Sequence, residues 1–229
     1  MRLLIWQMIT DRGKLSEGGI GMTAQPPAYS VLVPQSPRTP INGPQPFRWS
    51  IPEYRRLRNT GLFHDMKTML IEGEIFTMTM PSPPHDTALT LAFQYLLSIC
   101  PVGHYVRNQQ GLDVGSQNDP GPDLVIVKGC ARDYATRTPT TAVMVVEVAD
   151  SSLFFDTTTK AELYATAGIP DYWVIDLEGR RILLFRDPVA LPKGLGATAY
   201  STHLEFSSTE SIAPLIAPNS SIKVSDLLP

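Results

Sequence analysis

Val143-Met144-Val145-Val146-Glu147-Val148 is an almost unbroken apolar, β-branched run, the pattern of a central strand covered on both faces. Glu147 stands out in it, because its neighbours on both sides demand burial and a buried carboxylate needs a partner. Downstream, a helix is expected from Thr157 to Ala167, with Asp156 as N-cap and Gly168 past its end. Asp171 to Asp176 and Arg181 to Arg186 then read as two strands joined by Leu177-Glu178-Gly179-Arg180.

Upstream, Ser50-Ile51-Pro52-Glu53 combines a capping serine, a glutamate three residues on and an early proline. That predicts a helix to about Thr60, stopped by Gly61. Thr68 to Ile71 and Glu74 to Met80 flank Glu72-Gly73 as a tight hairpin. Pro81, Pro83 and Pro84 break the chain, and from His85 to Ile99 the residues Leu89, Ala92, Phe93, Leu96 and Leu97 recur at helical spacing. Tyr105 to Gln109 and Leu124 to Val127 read as further strands. The elements together predict an α/β (α+β) fold, a mixed β-sheet flanked by helices.

The chain has 229 residues, 43% apolar and 18% charged, enough for a sizeable core and unlike a wholly disordered or fibrous polypeptide. Pro26, Pro27, Pro34, Pro37, Pro40, Pro44 and Pro46 crowd a segment too poor in large apolar side chains to offset its ordering entropy. Residues 1–45 are therefore expected to form a flexible proline-rich leader, and residues 46–229 the folded domain. The formal charge of -3 gives no global basic signal, so a nucleic-acid partner has to be met by local basic residues. Cys100 and Cys130 lack disulfide or metal spacing, which fits a reducing cytoplasm. No apolar run approaches the roughly 18–20 residues that cross a bilayer. Leu3 to Ile9, interrupted by Gln7 and without a small-residue cleavage site, does not make a signal peptide. Met1 to Gly21 carries no structural period, and Met22 is the expected initiator.

Chemistry concentrates at Pro122-Asp123 opening one apolar strand, Glu147 inside the next, and Lys160 on the following helix. Two carboxylates about 4 Å apart repel by roughly 4 kcal/mol at an effective dielectric of about 20, so such a pair is held by a divalent cation or a shared proton. Oxygen ligands without clustered His or Cys point to Mg²⁺, or Mn²⁺ in its place, and away from zinc. Each residue alone has a plainer reading: Asp123 as a turn residue, Glu147 as the partner of an arginine, Lys160 as a solvated residue supported by Asp156 at i,i+4. Their conjunction in one order favours a site. Tyr164 shares the helical face of Asp156 and Lys160, and His85 opens a helix, where an N-terminal polar residue is the commoner role. Tyr172 and Trp173 read as core rather than a stacking platform, and Arg55, Arg56 and Arg58 as the solvated face of the first helix.

These residues resemble the active site of the PD-(D/E)xK nucleases, and more closely their Uma-two family of putative restriction endonucleases. The likeness runs from about Phe47 to the C-terminus. It rests on Trp49-Ser50-Ile51-Pro52-Glu53-Tyr54, Leu70-Ile71-Glu72-Gly73-Glu74-Ile75, Met80-Pro81-Ser82-Pro83-Pro84-His85, Gly121-Pro122-Asp123-Leu124, Val146-Glu147-Val148-Ala149-Asp150-Ser151-Ser152 and Tyr164-Ala165-Thr166-Ala167-Gly168-Ile169-Pro170-Asp171-Tyr172-Trp173. The resemblance implies a restriction-endonuclease-like fold and a Mg²⁺-dependent endonuclease acting on DNA. It implies Asp123, Glu147 and Lys160 as catalytic residues, Asp123, Glu147 and Glu74 as metal ligands, and Gln109 as an auxiliary one; His85 and Tyr164 are further auxiliary candidates by their positions. It also allows a homodimer. The superfamily's lysine stands two residues after the second acid, where this chain has Ala149, and Lys160 matches a lysine displaced onto the next helix. Thr157-Thr158-Thr159 replaces the glycine and glutamate that many relatives carry before it. A non-cutting nucleic-acid-binding or assembly module, and a metal-free hydrolase using two carboxylates, are the competing readings.

Overall fold

The computed structural model describes residues 43–78, 80–190 and 198–229, all within the unit Gln35–Pro229. The expected leader, except for residues 43–45, and the expected Met22 start lie outside the described residues. Helix α1 (Ile51–Asn59) begins as the sequence suggests: the Ser50 N–H and hydroxyl both donate to Glu53 Oε2, at 2.9 and 2.6 Å. The hairpin of β1 (Lys67–Ile71) and β2 (Glu74–Met78) turns on Glu72 and Gly73, both at positive φ. Gly73 is required twice, by its φ of +74° and because a Cβ there would lie 2.9 Å from Arg48 Cβ. One face of the hairpin packs Leu70 and Ile75 on Ile51 and Tyr54 of α1. The opposite face carries Lys67, Met69, Phe76 and Met78, which pair across the strands.

Helix α2 (Pro83–Ile99) starts two residues before His85, because Pro83 and Pro84 occupy its first turn, where a missing N–H costs nothing. Ser82 caps it, accepting from His85 N. The main sheet runs β3 (His104–Asn108), β4 (Leu124–Lys128), β5 (Met144–Ala149), β6 (Asp171–Asp176), β7 (Arg181–Ala190) and β8 (Thr198–Ser207), in that spatial order. Every neighbouring pair is antiparallel except β5 and β6. That parallel pair needs a crossover, supplied by α3 (Leu153–Phe155), a π-helical turn at Asp156–Lys160, and α4 (Ala161–Thr166).

All of β5 is buried, as its composition demands, and its two faces meet different layers. Met144, Val146 and Val148 share a core with Ala88, Leu89, Ala92 and Leu96 of α2 and with Trp173 and Ile175 of β6. Val145 and Ala149 point the other way, into a core with Ala161, Tyr164 and Ala165 of α4. Glu147 lies between them on the same face and therefore faces the crossover helix. Each buried Val, Leu or Ile contributes about 1.5–3 kcal/mol, so the register of β5 is strongly held. Tyr172 and Trp173 are core, as expected.

Three expectations need correction. The crossover helix begins at Leu153, so Asp156 is inside it and not its cap. Arg55 does not sit on a solvated face, since its guanidinium pairs with Asp113 and, at 3.3 Å, with Asp119. The strands β8, β9 (Ser211–Ile212) and β10 (Ile222–Lys223) have no counterpart in the sequence reading. β8 lies at the sheet edge, where polar and apolar residues mix and the hydrophobic pattern weakens. No helix among the described residues is long and apolar enough to cross a membrane.

Candidate active site

The antiparallel register that sets Leu124 opposite Val146 carries Asp123 opposite Glu147. Two hydrogen bonds lock them: Asp123 N donates to Glu147 Oε2 at 3.3 Å, and Val148 N donates to Asp123 Oδ2 at 3.0 Å. From the crossover, Lys160 Nζ comes within 2.9 Å of Glu147 Oε1 and 3.1 Å of Asp156 Oδ1. Tyr164 OH donates to the same Glu147 Oε1 at 2.7 Å. From the start of α2, His85 Nε2 lies 3.3 Å from Asp123 Oδ2, while its Nδ1 is buried without a hydrogen-bond partner. His85, Asp123, Glu147, Asp156 and Lys160 line a cleft of about 460 Å³, with Tyr164 fully buried behind Glu147.

The π turn explains why the lysine arrives there. Its wider hydrogen-bond spacing frees carbonyls that a regular helix would use, and nearby hydroxyls take them up. Tyr172 OH donates to Asp156 O at 2.9 Å, and the Thr157 and Thr158 hydroxyls donate to Leu153 O and Phe154 O. Thr157-Thr158, a departure from the family pattern by sequence, thus supports the turn that carries Lys160 inward.

Burial dominates the electrostatics, with Asp123 5%, Glu147 2%, Asp156 1% and Lys160 2% exposed. Desolvation pushes the Glu147 carboxyl up to about 7, against the opposing pull of Lys160. For Lys160, desolvation opposes the charge, but the Glu147 and Asp156 carboxylates outweigh it and raise the ammonium above its ordinary value. Asp123 is held low despite burial, by the His85 hydrogen bond and the Val148 N–H. His85 is raised in turn by the bond it makes to Asp123. The result is one secure cation, one secure anion, and one carboxyl poised to change charge near neutral pH.

The structure thus brings together Asp123, Glu147, Lys160, His85 and Tyr164. It does not bring Glu74 to them: that residue stands at the hairpin turn, with its carboxylate paired to Arg48. Gln109 is also apart, its side chain exposed, though its backbone N–H donates to Asp123 O at 2.7 Å. Asp156 is the member that sequence reasoning assigned elsewhere. The usable signal was its i,i+4 spacing from Lys160, but a residue read as an N-cap lies outside the helix and is not expected to face inward.

The donor set suits a hard cation, since Asp123 and Glu147 offer only oxygen. Among the described residues no three His, Cys, Asp or Glu side chains are grouped as a complete metal cage. Two carboxylates with the remaining ligands from water and substrate is the usual way of holding Mg²⁺. Glu147 Oε1 is committed to Lys160 and Tyr164, which leaves Oε2, with its one long hydrogen bond, as the oxygen that would face a cation.

Comparison with known proteins identifies the family and the fold. The Uma2 family model, described as a putative restriction endonuclease, matches residues 51–217. The chain belongs to the Uma2 family. No curated protein matches this Uma2 chain. Among solved structures, a crystal structure from Anabaena variabilis, titled a putative nuclease belonging to DUF820, superposes with a TM-score of 0.60 at 14% identity. The match covers 78% of this chain and 97% of that one, and it shows the restriction-endonuclease-like fold. Residues 51–217 begin at α1 and reach past β9, so the Uma2 match spans every residue of the candidate site.

Proposed function

We propose that this Uma2 protein is a Mg²⁺-dependent endonuclease that hydrolyses DNA phosphodiester bonds. What supports the reading most is the 2.9 Å approach of Lys160 Nζ to Glu147 Oε1, beside Asp123, on the floor of an open cleft. Asp123 and Glu147 would hold the ion, which when bound supplies charge neutralisation at the scissile phosphate and a water of lowered pKa. Lys160, kept cationic by two carboxylates, donates from a buried position to oxygen that gains negative charge, where preorganised donors count most. Asp156 keeps that ammonium in place, Tyr164 fixes the Glu147 rotamer, and His85 fixes Asp123.

The test is incubation of the purified protein with supercoiled plasmid, with and without Mg²⁺, beside Glu147→Gln. Nicked or linear product from wild type with Mg²⁺ alone is the expected outcome. Binding without cutting would identify a non-cutting module, and cutting in EDTA that is lost in Glu147→Gln would identify metal-free acid/base hydrolysis.

A further inference from the structure

The walls of the cleft differ in character from its floor. One face of the β1–β2 hairpin, formed by Lys67, Met69, Phe76 and Met78, lines it, and Met80 continues that wall. Phe155 also lines the cleft and packs against this wall, its ring centroid 5.6 Å from that of Phe76. Met80 is 78% exposed, and Phe154, the neighbour of Phe155, is 75% exposed. The lining carries four carboxylates, Asp123, Glu147, Asp150 and Asp156, against Lys67, Lys160 and His85, so even a divalent ion held by Asp123 and Glu147 would leave it close to neutral. Duplex DNA presents a negative charge about every 1.7 Å along its axis, and the surfaces that bind it are strongly positive. This cleft is not such a surface. Its volume of about 460 Å³ falls in the range of single-ligand pockets. Aromatic and apolar walls beside a lone cation are what an unpaired base requires, since every base has a face that stacks without regard to sequence.

We infer that the cleft accepts an unpaired nucleotide, its base lying against Phe76 between Met69 and Met78, with its phosphate at the divalent ion that Asp123 and Glu147 would hold and a neighbouring phosphate at Lys67. This rests on the nuclease reading and names its substrate class. A duplex enters only where a nucleotide has left the stack, as at a bulge or where negative supercoiling opens base pairs in a plasmid.

The experiment uses the full chain and one labelled oligonucleotide in three forms: single strand, perfect duplex, and duplex with a three-nucleotide bulge. Binding is read by fluorescence anisotropy with Glu147→Gln in Mg²⁺, and cleavage with wild type. The single strand and the bulge should bind at least about tenfold more tightly than the perfect duplex. A strand-preferring, bulge-indifferent protein takes only free single strands, whereas recognition of both shows that a nucleotide displaced from a duplex also serves. Phe76→Ala should weaken strand binding about 5- to 100-fold, and Phe76→Trp should keep it. Equal or tighter binding of the perfect duplex overturns the inference, as does a Phe76→Ala protein of wild-type affinity. Cleavage of duplex and strand alike overturns it while sparing the nuclease reading. Preferential strand binding without cleavage by wild type does the reverse.

Discussion

Replacing Lys160 by methionine removes the one lysine from a buried cluster that contains Asp123, Glu147 and Asp156. At about 3 Å and an effective dielectric of about 20, each of its two ion pairs corresponds to roughly 5 kcal/mol of attraction, set against a desolvation cost of similar size. Losing the cation leaves buried Asp156 with only the Ser152 hydroxyl as a partner, whereas Glu147, pushed up to about 7 by burial, escapes by taking up a proton. The expected loss for metal-free protein at pH 8 is about 3–5 kcal/mol, or about 6–20 °C in melting temperature. Glu147→Gln is the informative contrast. It keeps the 3.1 Å Lys160–Asp156 pair and removes one of three crowded carboxylates, so its melting temperature should stay within about 4 °C of wild type. The assay is thermal unfolding followed by circular dichroism in EDTA, repeated with Mg²⁺. A net-negative cluster built to receive a cation makes the two variants unequal, and Mg²⁺ should recover more stability in Lys160→Met than in wild type. An ordinary structural ion pair makes them equal, so a Glu147→Gln protein melting as low as Lys160→Met refutes the reasoning.

Asp123→Asn and Glu147→Gln should each reduce Mg²⁺-dependent cleavage to background in a plasmid-nicking assay, with the fold intact by circular dichroism. Lys160→Met should lower the cleavage rate about 100- to 1,000-fold while changing Mg²⁺ affinity far less, as read by titrating the rate with metal. Asp156→Asn, which weakens the hold on Lys160, should lower the rate about 10- to 100-fold with KM unchanged in steady-state kinetics. Because burial raises the Glu147 carboxyl from 4.5 to about 7, its contribution to metal-free stability is full below about pH 4.5 and is lost as pH rises through 7, worth about 3 kcal/mol. An ion requires the ionised form, so the melting-temperature gain from Mg²⁺ should increase between pH 6 and pH 8. Glu74→Gln, which breaks a pair with Arg48 outside the cleft, should leave the cleavage rate unchanged and cost at most about 1 kcal/mol, by kinetics and thermal melting.

The sequence alone determined what local rules and burial can determine. The β-branched run around Glu147 specified a central strand because only a doubly covered strand satisfies such a composition, and the Ser50 box and the Glu72-Gly73 turn specified their elements through short-range hydrogen bonds and backbone freedom. The order Asp123, Glu147, Lys160 was also visible, since Glu147 conflicts with its apolar strand and the three stand in the order of the site they resemble. Tertiary structure decided what depends on partners distant in the chain. Glu74 follows a turn that points it to Arg48, a pairing 26 residues apart that no local pattern encodes. Asp156 faces inward because a π turn, stabilised by Tyr172 from a later strand, rotates it toward Lys160, and helical periodicity read from sequence assumes a turn of constant width. The edge strand β8 exists because β7 offers it a long ladder of backbone partners, interrupted at Asp187, and backbone pairing leaves little trace in side-chain composition where one side of the strand meets solvent.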